Sequence, residues 1–363
     1  MLLAGFRGQV VNPLDAMSVN TGLLTMIIAV GFLKLVVIDT RRQPDMLPVG
    51  RMAYGQTLVS VAVFGSFINL SAPLVICDRI ADTKPIDQFT ASSVTRVFSA
   101  CAAWSPFFGG FAVVMTHIGG VNIVNVMLGG FPFLLASVVV VFVLGVLFKG
   151  RKVALFTGYP LTRASLWIPA TLSLVVTAFS IFLPAISILI VITVAAIALT
   201  IVVLLLREGS QTTWDKLRRY VVEQLPQSAN ELLLFMSAGI LGVGLSAWLL
   251  TADVKLPFDS FTNVVAMQLL AAMILIAAIG IHPVIQIAGI TPVILIASPA
   301  PDLLALTYLF AWALGTSGSP LAGTHLAFQG RYQIVAWKSA VRNWGYVSFM
   351  YVFACGLLLT LPA

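Results

Sequence analysis

The polar residues of this chain that could do chemistry sit in four short interruptions of otherwise apolar sequence. Two are Trp104-Ser105-Pro106-Phe107-Phe108-Gly109-Gly110 and Gly318-Ser319-Pro320-Leu321-Ala322-Gly323-Thr324, 214 residues apart. Each follows another break by about 36 residues: Asn69-Leu70-Ser71-Ala72-Pro73 in the first half and Gly280-Ile281-His282-Pro283 in the second. A broken helix exposes free N–H groups and a positive dipole end at its restart, which attract anions. The carbonyls left before the break, with nearby amide and hydroxyl oxygens, can coordinate a cation. Pro73, Pro106, Pro283 and Pro320 stand at or near the expected restarts, where a missing N–H costs nothing. Ser71, Ser105 and Ser319 are placed to cap them. The alternative is that these prolines only kink helices.

The candidate substrate and ion ligands are therefore Asn69, Ser71, Ser105, Gly109, Gly110, His282, Gln286, Thr316, Ser317, Ser319 and Thr324. His282 has apolar neighbours on both sides. Its imidazole could carry a coupling proton, or stay neutral on a backbone carbonyl and fix the tip. His325 and His117 are further candidates for proton coupling. Asn122 and Asn125 read as helix caps or outer-surface residues.

The elements that must position these residues follow from composition. Hydrophobic residues make up 60% of the chain and charged residues 9%, with a mean hydropathy of +1.03. Apolar runs such as 128–148 and 168–206 are long enough to cross a bilayer, which takes roughly 20 residues per helix. The expected fold class is an all-α polytopic membrane protein. The first residues lack the basic–apolar–cleavage layout of a signal peptide, so insertion is expected to rely on the first spanning helix. Cys77, Cys101 and Cys355 have no metal or redox spacing and read as packing residues.

Helices are expected at about 16–38, 51–68 and 72–82, then a stretch broken at 105–117 within 91–126, then 128–148. Two more follow at 163–183 and 185–206, and an amphipathic connector at 207–231. The second half reads 233–250, 262–281, 284–298, a stretch broken at 315–324 within 303–334, and 338–361. A shift of 214 residues superposes one series on the other. Four units result: an N-terminal segment 1–15, a first repeat 16–148, a two-helix bridge with cytoplasmic connector 149–232, and a second repeat 233–363.

The arm 72–82 would rise only about 16 Å, too short for a core of about 30 Å. The segment 51–82 therefore reads as a re-entrant hairpin with Asn69-Leu70-Ser71 at its tip, and 262–298 as a second with His282-Pro283. Each repeat then crosses three times, and the bridge keeps parity, so the repeats are inverted. With 39–51, 79–96, 149–163, 207–231 and 331–342 on one side, together with Lys34 near a helix end, that side holds 18 of the 20 Lys and Arg residues. Only Arg7 and Lys255 lie opposite. This bias marks the cytoplasmic face and places both termini on the outer side of an inner or plasma membrane. It also accounts for the net charge of +7, so no nucleic-acid partner is expected.

Certain chemistries are missing from the sequence. No acidic residue stands within an apolar span away from the loops, which weakens a cation/proton antiporter, since that activity needs a buried carboxylate. No phosphate-binding glycine loop, paired carboxylates or Cys/His cluster is present, so no cofactor is expected beyond a coupling sodium ion or proton.

The order of elements resembles the ion transporter superfamily, which includes divalent-anion:sodium symporters, citrate carriers and arsenite permeases. The shared features are a hairpin with a short polar tip, a helix broken at a Gly/Pro-rich loop and a final helix, all repeated over about 16–148 and 233–361. The resemblance implies a scaffold and a mobile transport domain working as an elevator, often in a homodimer. In the sodium-coupled carboxylate members a Ser-Asn-Thr tip and the facing loop of the broken helix form the sodium and carboxylate sites. Here the first tip keeps an amide and a hydroxyl in another order, Asn69-Leu70-Ser71, and the second, His282-Pro283-Val284, has no hydroxyl. The N-terminal part reads as short for that group by at least one leading helix, as in a compact subfamily or a truncated chain. The expected function is secondary transport of a small organic or inorganic anion, coupled to sodium or protons. The alternatives are a cation/proton antiporter on the same fold and an intramembrane enzyme using His117 or His325 as base.

Overall fold

The computed structural model describes residues 18, 20–37, 46–161, 166–183, 185–251 and 256–363, without the side chains of 227, 230, 231 and 249–251. The N-terminal segment 1–15, Arg7, Arg163, Lys255 and most of the loop 39–51 lie outside the described residues. Among the described residues the regular structure is helical, apart from one isolated bridge between Val49 and Thr157.

The first series is α1 (Thr21–Phe32, run on by the turn Lys34–Val37), α2 (Arg51–Ile68), α3 (Ser71–Ala81), α4 (Gln88–Ala100), α5 (Gly109–His117), α6 (Ile123–Phe148) and the short α7 (Gly150–Ala154). The bridge is α8 (Trp167–Phe182) and α9 (Ile188–Glu208). The connector is helical too: α10 (Ser210–Arg219) runs through a π turn at Tyr220–Gln224 and a 3-10 turn at Leu225–Ser228 into α11 (Ala229–Thr251). The second series is completed by α12 (Asn263–Ala278), α13 (Pro283–Ile294), α14 (Pro301–Gly318), α15 (Gly323–Tyr332) and α16 (Ala336–Leu359). From α2 to α6 and from α12 to α16 the helices follow in the same order and close to the 214-residue register.

Two boundaries differ from the sequence reading. The first break is only 104–108, because 109–117 is helical, and the second only 319–322, because 315–318 is the end of α14 and α15 starts at Gly323. Arg96, counted on the cytoplasmic side with 79–96 and inside the helical stretch 91–126, sits in α4, where Asp87 caps the helix by accepting from the Thr90 N–H at 2.8 Å.

The centre of the molecule is α14, buried at every position from Leu303 to Gly318. It packs against α12, α16, α4, α6 and the 3-10 turn Cys101–Ala103. Around it α11 lies on α13, α2 on α4, and α1 on α9. Among the described residues two helices, α6 and α9, are long and apolar enough to cross a membrane, with mean hydropathies of 2.8 and 3.2.

Polar ties stitch the first series to the second. At the start of α14, Asp302 accepts from the Asn122 N–H (2.8 Å) and the Asn125 amide (3.0 Å). Asn122 itself caps α6 by accepting from the Asn125 N–H, which is one of the roles expected of these asparagines. Gln88 donates to Ser339 Oγ at 2.6 Å. Beyond the end of α14, Arg331 makes a bidentate pair with Asp78, at 2.6 and 2.8 Å.

The α6 contact rests on a missing side chain. A Cβ at Gly130 would lie 1.8 Å from the Ala103 carbonyl oxygen, which is backbone and cannot swing away. Gly345 in α16 has open space around it. Gly130→Ala should therefore cost about 1–3 kcal/mol through overpacking. Gly345→Ala should be neutral or stabilising by up to about 1 kcal/mol. Thermal unfolding of both variants in detergent checks the contrast; equal melting temperatures would refute the close contact.

Candidate functional site

The first tip is a strained turn. Asn69 has φ 49° and ψ −139°, and Leu70 has φ −56° and ψ −22°. These angles are close to a type II′ turn, whose first central position normally takes glycine. The side chain supplies a reason for asparagine: its amide donates to the Phe107 carbonyl, inside the first break, at 3.1 Å. Asn69 Oδ1 is buried with no hydrogen-bond partner.

The second tip is built differently. Gly280, with φ 103°, ends α12 in a Schellman motif: its N–H donates to Ala277 O at 2.9 Å, and the Ile281 N–H to Ile276 O at 3.3 Å. His282 is then the N-cap of α13, its Nδ1 accepting from the Val284 N–H at 3.2 Å, with Pro283 in the first turn. This assigns the ring its tautomer, with the proton on Nε2. The expected carbonyl contact is replaced by a backbone N–H. Gln286 donates to Ile281 O at 2.8 Å, and its Oε1 is buried without a partner.

The two breaks share one turn. In each, Ser-Pro-x-x-Gly folds so that the serine carbonyl accepts from the residue three places on: Phe108 N to Ser105 O at 3.1 Å, Ala322 N to Ser319 O at 3.3 Å. Each following helix starts at the glycine, Gly109 or Gly323. Serine at the first and proline at the second position of a turn is the pairing that β-turns favour. Pro106 and Pro320 are thus turn residues rather than first helical residues, and the N-caps are Phe108 and Ala322, without side-chain caps. Nor does Ser71 cap α3, since it is already inside that helix.

The serines act elsewhere. Buried Ser105 donates through Oγ to the Ser66 carbonyl, and its Oγ accepts from the Phe107 N–H at 3.2 Å. Trp104 Nε1 donates to Ser66 Oγ at 2.9 Å. Thr316 turns back to the Trp312 carbonyl at 2.8 Å. Ser317 Oγ is buried and unpartnered.

The second break is held by residues that sequence reasoning missed. Arg96 is donor-only, and its Nε bonds Asn343 Oδ1 at 2.8 Å. That fixes the Asn343 amide so that Nδ2 donates to Ser317 O at 3.0 Å and faces His325 Nε2 at 3.4 Å. His325 Nδ1 must then carry the proton it donates to Ser319 O at 2.8 Å. His117 is likewise committed, through Nδ1 to Val113 O at 2.8 Å. Neither ring hydrogen-bonds a hydroxyl or thiol. The available signal for this network was a polar Arg96 and Asn343 inside runs that otherwise read as helix.

Trp312 brings the halves together. Its ring stands edge-on to His282, with centroids 5.0 Å apart, and a Cβ at Gly110 would lie 2.8 Å from it. Gly109 faces Phe235 in the same way, at 3.0 Å, and Thr324 is buried at the start of α15. Trp312 thus packs the second tip against the first break. The cavity of about 40 Å³ beside the first tip is lined by Asn69, Ser71, α1, Tyr220 and Ser228, and by nothing from the second tip or second break. It has room for a water-sized species.

At the rim, Arg331 is raised above its ordinary pKa by its hydrogen bonds to Asp78, and Tyr332 is pushed up by burial and by its own bond to that carboxylate at 2.7 Å.

Compared with models of known families and with curated proteins, the chain matches no family model and no curated protein.

If Asn343 holds the second break, Asn343→Leu leaves Arg96 Nε, Ser317 O and His325 Nε2 without their partner, at a cost of about 2–4 kcal/mol. Asn343→Asp keeps the arginine acceptor and loses only the donor, so it should fall between. Thermal or denaturant unfolding in detergent gives the order; a leucine variant as stable as the parent would refute the role.

Proposed function

We propose that the chain is a polytopic membrane protein of two inverted repeats, each with a re-entrant hairpin and a broken helix. In this reading it is a secondary active transporter that moves a small organic or inorganic anion, coupled to sodium or protons, by an elevator-like mechanism. Its resemblance to the ion transporter superfamily belongs to the same reading, as does assembly as a homodimer.

Support for the membrane setting comes from exposure. Only 28% and 39% of the most apolar stretches of α6 and α9 are buried, whereas a soluble core helix hides most of such a surface. The observation that carries the transport reading is the pair of like-built Ser-Pro-x-x-Gly interruptions, each with a hairpin tip packed against the helix it breaks. Asn69 reaches Phe107 at the first, and Pro283 packs on Gly315 just before the second. Three oxygens at these places, Asn69 Oδ1, Gln286 Oε1 and Ser317 Oγ, are buried acceptors without donors. Buried polar atoms left unpaired are costly, and hard cations such as sodium are bound by oxygen ligands of this kind. The uncapped starts of α5 and α15 offer N–H groups to an anion.

The test is uptake into liposomes under imposed sodium or proton gradients, across a panel of carboxylates and oxyanions. Gradient-driven accumulation of at least one anion is expected, and its absence across the panel would overturn the reading. Cation-dependent currents with no added anion would favour an antiporter instead. Asn69→Ala and Ser317→Ala should lower uptake by roughly 10-fold or more while the protein stays folded. His282→Asn keeps a good capping acceptor and should leave the pH profile of uptake unchanged; a flattened profile would make His282 the proton carrier.

A further inference from the structure

We propose that the crevice between α4 and α7 binds the phosphate head of an anionic phospholipid whose acyl chain lies along α6; this rests on the membrane reading above. The crevice encloses about 320 Å³ and is lined by three cations, Lys84, Arg151 and Lys152, against one carboxylate, Asp87.

The carboxylate is already engaged. Asp87 Oδ2 accepts from Lys152 Nζ at 2.7 Å, and Oδ1 accepts from the Thr90 N–H and hydroxyl, both at 2.8 Å. Burial works against its charge, but these donors outweigh it and hold its pKa below the usual carboxylate range. Among the described residues Lys84 and Arg151 form no ion pair. The cavity therefore presents two uncompensated cations and calls for an anion with several acceptor oxygens.

Its surroundings call for a tail. On α6 the residues Leu128, Leu135, Val139, Val143 and Leu147 are exposed at mostly four-residue spacing, which puts them on one face. At 1.5 Å per residue the stripe is about 28 Å long, close to the thickness of a hydrocarbon core. It ends at Phe148, 72% exposed, directly before Lys149, Arg151 and Lys152. Leu155, which lines the crevice, is 59% exposed. A free phosphate would satisfy the cations and leave this apolar approach unused. A phospholipid satisfies both, as basic pockets at the cytoplasmic face of membrane proteins do for anionic head groups.

Native mass spectrometry of the full chain released from nanodiscs of mixed phosphatidylglycerol and phosphatidylcholine tests this. Retained phosphatidylglycerol is expected to exceed phosphatidylcholine, and Lys84→Gln/Arg151→Gln should reduce its retention by roughly 30-fold. Asp87→Asn keeps the helix cap and frees Lys152, so retention should rise. Equal retention of the two lipids, or a double variant that behaves as the parent, would overturn the proposal. Displacement of the lipid by millimolar inorganic phosphate would overturn the choice of a lipid as ligand. Resistance of the protein to alkaline carbonate extraction from cell membranes is scored separately. A protein that is extracted fails the membrane reading, and one that stays but shows no lipid preference fails only this proposal.

Discussion

Interrupting a helix inside apolar surroundings frees backbone groups that cannot be left bare. The structure around both tips and both breaks is the answer to that constraint. Phe107 O is met by Asn69, Ser66 O by Ser105, Ser317 O by Asn343, Ser319 O by His325, and Ile281 O by Gln286, while the Val284 N–H is met by His282. Nearly every polar side chain near the interruptions is thereby spent on backbone. The buried oxygens at these places left without a partner, on Asn69, Gln286 and Ser317, stand out for that reason.

The same accounting explains why α14 is the structural centre. A helix buried on all sides has no water to fall back on at its broken end. Its partners must come from neighbours: Asn343 from α16, oriented by Arg96 from α4, and His325 from α15. Arg96 also donates to the Arg342 carbonyl and lies over the Tyr346 ring, whose hydroxyl is paired with Ser137 of α6. One buried asparagine thus connects four helices drawn from both series. Surface pairs such as Asp78–Arg331 add less, because water screens them, although their bidentate geometry does define which helix ends meet.

Much of this was legible in the sequence. Long apolar runs and their punctuation by Pro, Gly and Ser report helices and breaks directly, so the order of elements and the neighbourhood of both breaks follow from spacing, while their bounds do not. The function of each punctuating residue does not. Ser-Pro was read as a cap and first helical residue, but the turn places the helix start three residues past the proline. His282 was read as a proton carrier or a carbonyl-bonded ring, and its accepting role depends on the angle at which α13 leaves the tip. Arg96 and Asn343 lie 247 residues apart, and no local pattern predicts that they meet. Nor does spacing predict that Trp312 packs on both His282 and Gly110, a matter of side-chain volume.

Asn69 combines an unfavourable backbone angle with a useful side chain. Glycine would relax the turn by roughly 1–3 kcal/mol, but it would abandon the Phe107 carbonyl and remove the amide oxygen beside the small cavity. Selection for robustness alone would fill this position with the smallest residue. Under the proposed function, asparagine at this position trades durability for activity, so screens for thermostable variants would select it away.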